Sequence, residues 1–401
     1  MRLDDHDGEL LSDAMALQSE MSLFRRQLHQ WPEIGLNLPR TQAAILRALE
    51  GMDLDIRIGT ALTSVTAVLR GARPGPAVLL RADMDALPIE EGTLSDYGSL
   101  VPGVMHACGH DLHVSALLGA AKLLYARRHE LSGSVVLMFQ PGEEACDGAG
   151  LMVEEGVLTA AGTTVVAAYG LHVHSDRLPP GTFGTKAGTL MAASDDFDVR
   201  VVGAGGHGGT PWKAADPIPV AAEMILALQA VITRSVPLTD PAVLTVGTLH
   251  AGTARNVISE VAEFSGTIRT VSESTRTKLC ARVRHLCESV ADAHGLRAEV
   301  TMTAGYPATV NDGDSALVVE QVVSRMFGPP RFRRLEQPVY GSEDFSRILS
   351  EVPGCFVFFG AGYEEDPESA PPNHSAIVSF DDSLLPAGSA LLTALALSHL
   401  R

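Results

Sequence analysis

Cysteine is scarce. Five residues in 401, an odd number at irregular spacing, exclude a disulfide framework and fit a reducing, cytoplasmic setting. Basic residues are outnumbered, 30 Lys+Arg against 48 Asp+Glu, for a formal charge of −18. So acidic a chain offers no basic face to a nucleic-acid backbone or an anionic membrane, and neither is expected as a partner. The opening Met1-Arg2-Leu3-Asp4-Asp5-His6-Asp7 lacks a basic stretch followed by an apolar core, so no signal peptide is expected. Long apolar runs are missing too. The longest, Leu384 to Leu400, is broken by Pro386, Gly388, Ser389, Thr393 and Ser398, and reads as a closing helix packed on a core rather than a membrane span. No internal repeat or low-complexity tract stands out.

What is present suits a soluble globular chain: 46% hydrophobic and 19% charged residues, at a length that suggests two to three domains. Over the first 180 residues, strand and helix patterns alternate. Helical spacing falls at 41–49 and 111–127, the second with Asp111 as a plausible cap, and apolar strand runs fall at 64–69, 77–81, 134–139 and 164–171. That rhythm implies an α/β unit with a largely parallel sheet covered by helices. The middle differs. Asp195–Val202 alternates polar and apolar, then come a Gly-rich loop (203–209), a helix (217–234), strands (242–249 and 260–269), a helix (273–294) and a strand (297–303). The order β-α-β-β-α-β is that of a ferredoxin-like α+β domain. A helix near 314–327, a strand at 355–359 and the final helix then return to the first unit. The chain therefore reads as a discontinuous domain, 1–184 plus 306–401, with 185–305 inserted.

Polar clusters follow the strand-like runs, where open α/β sheets bind ligands. They are Arg81-Ala82-Asp83-Met84-Asp85, the segment His106 to His113, Gln140-Pro141-Gly142-Glu143-Glu144, and Leu171-His172-Val173-His174, with Pro372-Asn373-His374-Ser375 after the last strand. Cys108 and His110 place a soft sulfur and an imidazole two residues apart, able to converge on one ion; a buried cysteine beside helix-capping groups is the alternative. Adjacent Glu143 and Glu144 cannot both point the same way. One carboxylate can ligate metal while the other acts as general base, unless both belong to a solvated loop. His172 and His374 are unremarkable singly. Together Cys108, His110, Glu144, His172 and His374 make five donors at one sheet edge, more than one tetrahedral zinc requires and suited to two metals sharing a bridge. The glycine-rich GAGGHGG lacks a following GK[ST] and is not a phosphate cradle.

The chain resembles the M20 metallopeptidases, within them the amidohydrolase branch of hippurate hydrolases, indole-acetyl-amino-acid hydrolases and N-acyl-amino-acid deacetylases. The segments that carry the resemblance are LHQWPEIG (28–35), RADMDALPIEE (81–91), GVMHACGHDLH (103–113), FQPGEE (139–144), GLHV (170–173), GAGGHGGTP (203–211), ARNVI (254–258), GTIRT (266–270), GSEDFS (341–346) and PNHS (372–375). The resemblance implies a phosphorylase/hydrolase-like catalytic domain with a central mixed sheet, and an inserted dimerisation or lid domain. It implies Cys108, His110, Glu144, His172 and His374 as ligands of two divalent ions (Zn, Mn, Co or Ni), with Cys108 bridging. It implies Glu143 as general base and Asp85 as an acid that orients a ligand or the base. It leaves Asp83 without a clear role. In the inserted domain it implies His207 as an oxyanion donor supplied across a homodimer interface, and Asn256 and Arg269 as holders of the substrate carbonyl and carboxylate.

The expected activity is hydrolysis of an N-acyl amino acid or short peptide-like amide. A carboxypeptidase or dipeptidase on the same machinery, a thiol enzyme with Cys108 as nucleophile and His110 as base, and a non-catalytic binding protein are the other readings. Trp212, Asn37 and the stretches 94–102 and 364–372 depart from the family pattern without touching the metal set.

Overall fold

The computed structural model describes residues 5–93 and 95–401; the first four residues of the N-terminal reading, and Leu94 of the 94–102 stretch, lie outside the described residues. In chain order the first elements are α1 (Asp5–Ala16), α2 (Gln18–Gln30), α3 (Pro39–Ala48), β1 (Asp55–Ile58), β2 (Val65–Arg70) and β3 (Arg73–Asp83). Next come α4 (His110–Ala126), β4 (Ser132–Gln140), α5 (Gly148–Glu154), β5 (Ala167–His174), β6 (Phe183–Thr185) and β7 (Gly188–Met191). Then follow β8 (Ala193–Val202), β9 (Gly206–His207), α6 (Pro217–Ser235), β10 (Ala242–Ala251), β11 (Val257–Ile258), β12 (Val261–Thr270), α7 (Glu273–Ala293) and β13 (Arg297–Ala304). The chain closes through β14 (Thr309–Asn311), α8 (Gly313–Met326), β15 (Phe332–Arg334), α9 (Ser346–Leu349), β16 (Gly354–Gly360) and α10 (Leu385–Leu400).

Two compact units result. The larger runs up to Leu190 and then takes Val310–Glu336 and Asp344–Arg401; the smaller takes Met191–Thr309 and Gln337–Glu343. The segment 337–343, which the sequence groups with the outer domain, packs with the smaller unit because the Ala192 N–H donates to the carbonyls of Val339 and Gly341 (3.0 and 3.1 Å).

The larger unit holds an eight-stranded sheet in the order β1-β2-β4-β3-β5-β16-β6-β15. Its centre, β4-β3-β5-β16, is parallel. Antiparallel β2 and β1 flank one side, and β6 runs antiparallel to β16 on the other. The sheet is thus mixed, and the near-continuous apolar runs of β3, β4 and β5 belong to the parallel centre, where both faces are covered. With the turn before it, the segment 382–400 is long and apolar enough to cross a membrane. Instead α10 is buried in this core, and the polar residues that interrupt it are satisfied by main-chain carbonyls: Ser389 Oγ donates to Ala116 O on α4 (2.9 Å) and Thr393 Oγ1 to Ser389 O (2.7 Å).

The helix α4 starts differently from the expectation. Gly109, at φ +86°, is its N-cap, and a Cβ there would lie 2.3 Å from Val173 Cγ2. Only glycine allows both the left-handed backbone and this close approach. Asp111 is the second residue of the helix rather than its cap; it is buried, paired with Arg25 (2.7 Å) and His29 (2.8 Å), and its Oδ1 also accepts from the Leu112 N–H (3.1 Å). A buried carboxylate needs such partners, and a short polar side chain near a helix start serves either use.

The smaller unit follows the order β8-α6-β10-β12-α7-β13, with a four-stranded antiparallel sheet ordered β10-β12-β8-β13. On β8, Phe197, Val199 and Val201 enter the core while Asp196, Asp198 and Arg200 face out. The glycine-rich loop contains a two-residue strand, β9, paired with β11.

Candidate metal centre

The carboxyl ends of three adjacent parallel strands carry the chemistry. β3 ends at Asp83 with Asp85 just beyond, β4 leads into Glu143 and Glu144, and β5 carries His172 near its end. Cys108 and His110 flank Gly109 at the start of α4. His374 lies on a loop in the left-handed region at φ +69°, a conformation costing about 1 kcal/mol or more for a side chain with Cβ. Its neighbour over-determines that conformation. Asn373 Nδ2 donates to Val173 O (3.0 Å) and Cys108 O (3.3 Å), and its Oδ1 accepts from Ser175 N (3.1 Å). The loop is thereby tied to both β5 and the approach to α4.

These elements bring all five expected donors together within the larger unit. His374 Nε2 stands 3.2 Å from both Cys108 Sγ and Glu144 Oε1, and Cys108 Sγ stands 3.5 Å from His172 Nε2. The donor atoms of Cys108, His110 and His172 lie within 4.8 Å of one another, as do those of Cys108, Glu144 and His374 and those of His110, Glu143 and Glu144. Cys108 is thus common to two groups of donors. His110 is fully buried, and each of its nitrogens stops 3.5 Å from a carboxylate, Nε2 from Asp83 and Nδ1 from Asp85, without forming a proper hydrogen bond. Glu144 Oε1 is likewise buried, with His374 Nε2 as its ion-pair neighbour. A thiol, imidazoles and a carboxylate converging in this way are a donor set that fits divalent cations.

The anionic groups of the cluster, which would draw a cation, also hold protons on two of its imidazoles. Contact with the Cys108 sulfur and the Glu144 carboxylate raises the His374 imidazole to about 10. Burial, and then the His174 and His113 rings, push His172 well below its ordinary value, which keeps it neutral. His172 Nδ1 donates to Val173 O (2.8 Å), so its Nε2 lone pair is left to face Cys108. Burial alone would lower His110, but the charges of Asp83 and Cys108 outweigh it and raise it well above. Asp85 accepts from the backbone N–H of Glu143 (3.1 Å) and of Glu144 (3.0 Å) while facing His110. One carboxylate therefore fixes the turn that aims the two glutamates.

Sequence reasoning missed several residues that sit against this centre. Asn373, His113, Arg81, Gln140 and Asp344 are all hydrogen-bonded there, and only their presence inside the motif segments marked them. The smaller unit places the other three expected residues in two locations. His207, on β9, and Asn256, just before β11, are exposed neighbours: the Gly208 N–H donates to Asn256 O (2.8 Å), and Val257 pairs with His207. Arg269 is half-buried near the far end of β12, where its guanidinium donates to Ser342 Oγ (3.1 Å). β12 pairs Val261 with Val202 at the β9 end and Arg269 with Ser194 at the other. The eight residues of strand from Val261 to Arg269 span about 25 Å, and the two locations lie toward its opposite ends.

A model of Peptidase family M20/M25/M40 matches residues 79–398. A thermostable carboxypeptidase 1 from Saccharolobus solfataricus is 36% identical over 95% of each chain. An N-acetyl-L-cysteine deacetylase from Bacillus subtilis is 38% identical over 87% of this chain and 82% of its own. Among solved structures, the YXEP protein of Bacillus subtilis, described as a dinuclear metal binding peptidase from the M20 family, superposes with a TM-score of 0.82 at 33% identity, covering 96% of this chain and 98% of its own. This chain belongs to peptidase family M20/M25/M40 and is a hydrolase acting on amide or peptide bonds.

Proposed function

We propose that the chain hydrolyses the amide bond of N-acyl amino acids, in the manner of aminoacylases and hippurate hydrolases. The observation that carries this reading is Cys108 standing in two donor groups at once, with His110 and His172 on one side and Glu144 and His374 on the other. Two divalent ions held there, Zn, Mn, Co or Ni, would supply Lewis acidity to the substrate carbonyl and make water a competent nucleophile near neutral pH. Glu143, buried beside them and aimed by Asp85, takes the proton of the attacking water and returns it to the leaving amine. Arg269 forks onto the free carboxylate of the amino acid, Asn256 holds the carbonyl, and His207 donates to the oxyanion.

The separation of Arg269 from the His207–Asn256 pair within one smaller unit supports a homodimer in which the two locations act on substrates of different subunits. In this reading the larger unit (in outline 1–184 and 306–401) is the phosphorylase/hydrolase-like catalytic domain. The smaller (185–305) is a ferredoxin-like dimerisation or lid domain, and the protein works in the cytoplasm on a small-molecule substrate.

The likeness to the Saccharolobus carboxypeptidase supports a second reading, cleavage of peptides from the carboxyl end by the same groups. Hydrolysis of hippurate, N-acetyl and indole-acetyl amino acids and dipeptides, after chelation and after adding back each metal, separates the two. Acyl-amino-acid rates above dipeptide rates support the first, and the reverse ranking the second. Cleavage that resists chelation overturns both.

A further inference from the structure

We propose that Asp83 and His113 are positioning residues of the metal centre, joined in one buried chain that sets the orientation of His110 and His172 together. The inference rests on the two-metal reading above. Asp83 is fully buried at the end of β3. Its Oδ2 accepts from Arg81 Nη1 (2.7 Å) and faces His110 Nε2, while its Oδ1 accepts from His113 Nδ1. The other nitrogen of His113 accepts from the Val173 N–H (2.8 Å), and the carbonyl of that same residue takes the Nδ1–H of His172. With Nε2 as acceptor and Nδ1 as donor, His113 is held in a single tautomer. One carboxylate thus faces one expected ligand across 3.5 Å and reaches a second through an imidazole and a peptide unit.

Arg81 is itself immobilised, by Gln140 Oε1 (2.8 Å) and Asp344 Oδ1 (2.9 Å), and Asp344 also accepts from Gln140 Nε2 and the Ala149 N–H. The chain therefore joins the ends of β3, β4 and β5, and ties β3 and β4 to Asp344, 263 positions after Arg81 and 204 after Gln140. Asp83, His110 and His113 also lie close enough to ligate an ion themselves. Two features favour orientation over ligation: both nitrogens of His113 are already engaged, and the guanidinium of Arg81 sits on Asp83. Partners of this kind change metal affinity or activity by about 10- to 100-fold when removed.

The test uses the full chain, stripped of metal and titrated with Co²⁺, reading stoichiometry, affinity and the visible and thiolate absorption bands. The variants are Asp83→Asn, His113→Gln and the double. Leu400→Ala serves as a control, because that side chain packs by Gly133 at the opposite end of β4. The expectation is two Co²⁺ per chain throughout, affinity lower by about 10- to 100-fold in each single variant with displaced visible bands, and a double variant no worse than the poorer single. Unchanged affinity and bands overturn the proposal. So does a loss that Leu400→Ala reproduces at an equal fall in Tm, which marks a merely structural role. A stoichiometry of one in Asp83→Asn also overturns it, since Asp83 would then be a ligand. Should Asp83→Asn fail to fold, His113→Gln carries the same comparison. A wild-type chain that takes up no Co²⁺ overturns the two-metal reading itself, a result distinct from any of these.

Discussion

The two units present their candidate functional residues in opposite ways. In the larger unit Asp83, Asp85, His110, Glu143 and His172 are buried and locked by one another, by Arg81, Asn373 and His113, and by backbone N–H groups. In the smaller unit His207 and Asn256 stand exposed on a two-residue ladder, and Arg269 leans on a single serine hydroxyl. Burial makes mispairing of ionisable groups expensive, so the chain by itself fixes the first set to within hydrogen-bond tolerances. Exposed groups carry no such penalty and take their geometry from what they meet. Preorganisation is therefore concentrated where charge must be held.

The comparison predicts that the largest loss comes from the larger unit. Glu143→Gln keeps the shape of the turn that Asp85 holds but removes the base. Steady-state assays should show kcat lower by about 10²- to 10⁴-fold with metal stoichiometry unchanged; activity near wild type would remove Glu143 from the chemistry. In the smaller unit, Arg269→Ala should act mainly through KM, raising it by about 10-fold or more for substrates with a free carboxylate while leaving carboxyl-amidated analogues unaffected. An equal loss on both substrates would deny Arg269 its assigned partner.

Smaller effects sharpen the contrast in stability. Gly109→Ala forces a Cβ against Val173 and β-carbon strain at φ +86°, and should cost about 1–3 kcal/mol in denaturant unfolding of the metal-free chain. The same change at exposed Gly247, where a Cβ meets nothing, should be near neutral. His106 supplies the pH dependence. Burial, chiefly, lowers it to about 3 from an ordinary 6.5, so the folded state holds it neutral while the unfolded chain protonates it. Its contribution is complete above pH 6.5 and is lost progressively as pH falls from there toward about 3. Tm of the metal-free protein should drop across that window, and His106→Gln should flatten the slope. An unchanged slope would assign the acid sensitivity elsewhere.

How much of this was legible in the sequence follows from the same contrast. Cys108, His110, Glu143, Glu144 and His172 were readable because each sits in a short motif at a strand end or helix start, where local pattern and local geometry coincide. The parallel centre of the sheet and the β-α-β-β-α-β order were readable for the same reason. The pairing of Arg81 with Asp344 spans 263 positions, and nothing in either segment announces the other. Asp111 looked like a cap because a carboxylate near a helix start is usually one; only the fold shows Arg25 and His29 arriving beside it. The segment 337–343 carries no periodicity that assigns it to a unit, and its backbone hydrogen bonds to Ala192 decide the matter.

The central claim is that one sulfur serves two ions. It is tested most directly by a crystal structure of the metal-loaded chain with anomalous data collected at the metal edge. Two peaks are expected with Cys108 Sγ between them, His110 and His172 on one, Glu144 and His374 on the other. A single peak, or two peaks with Cys108 bound to neither, would contradict it.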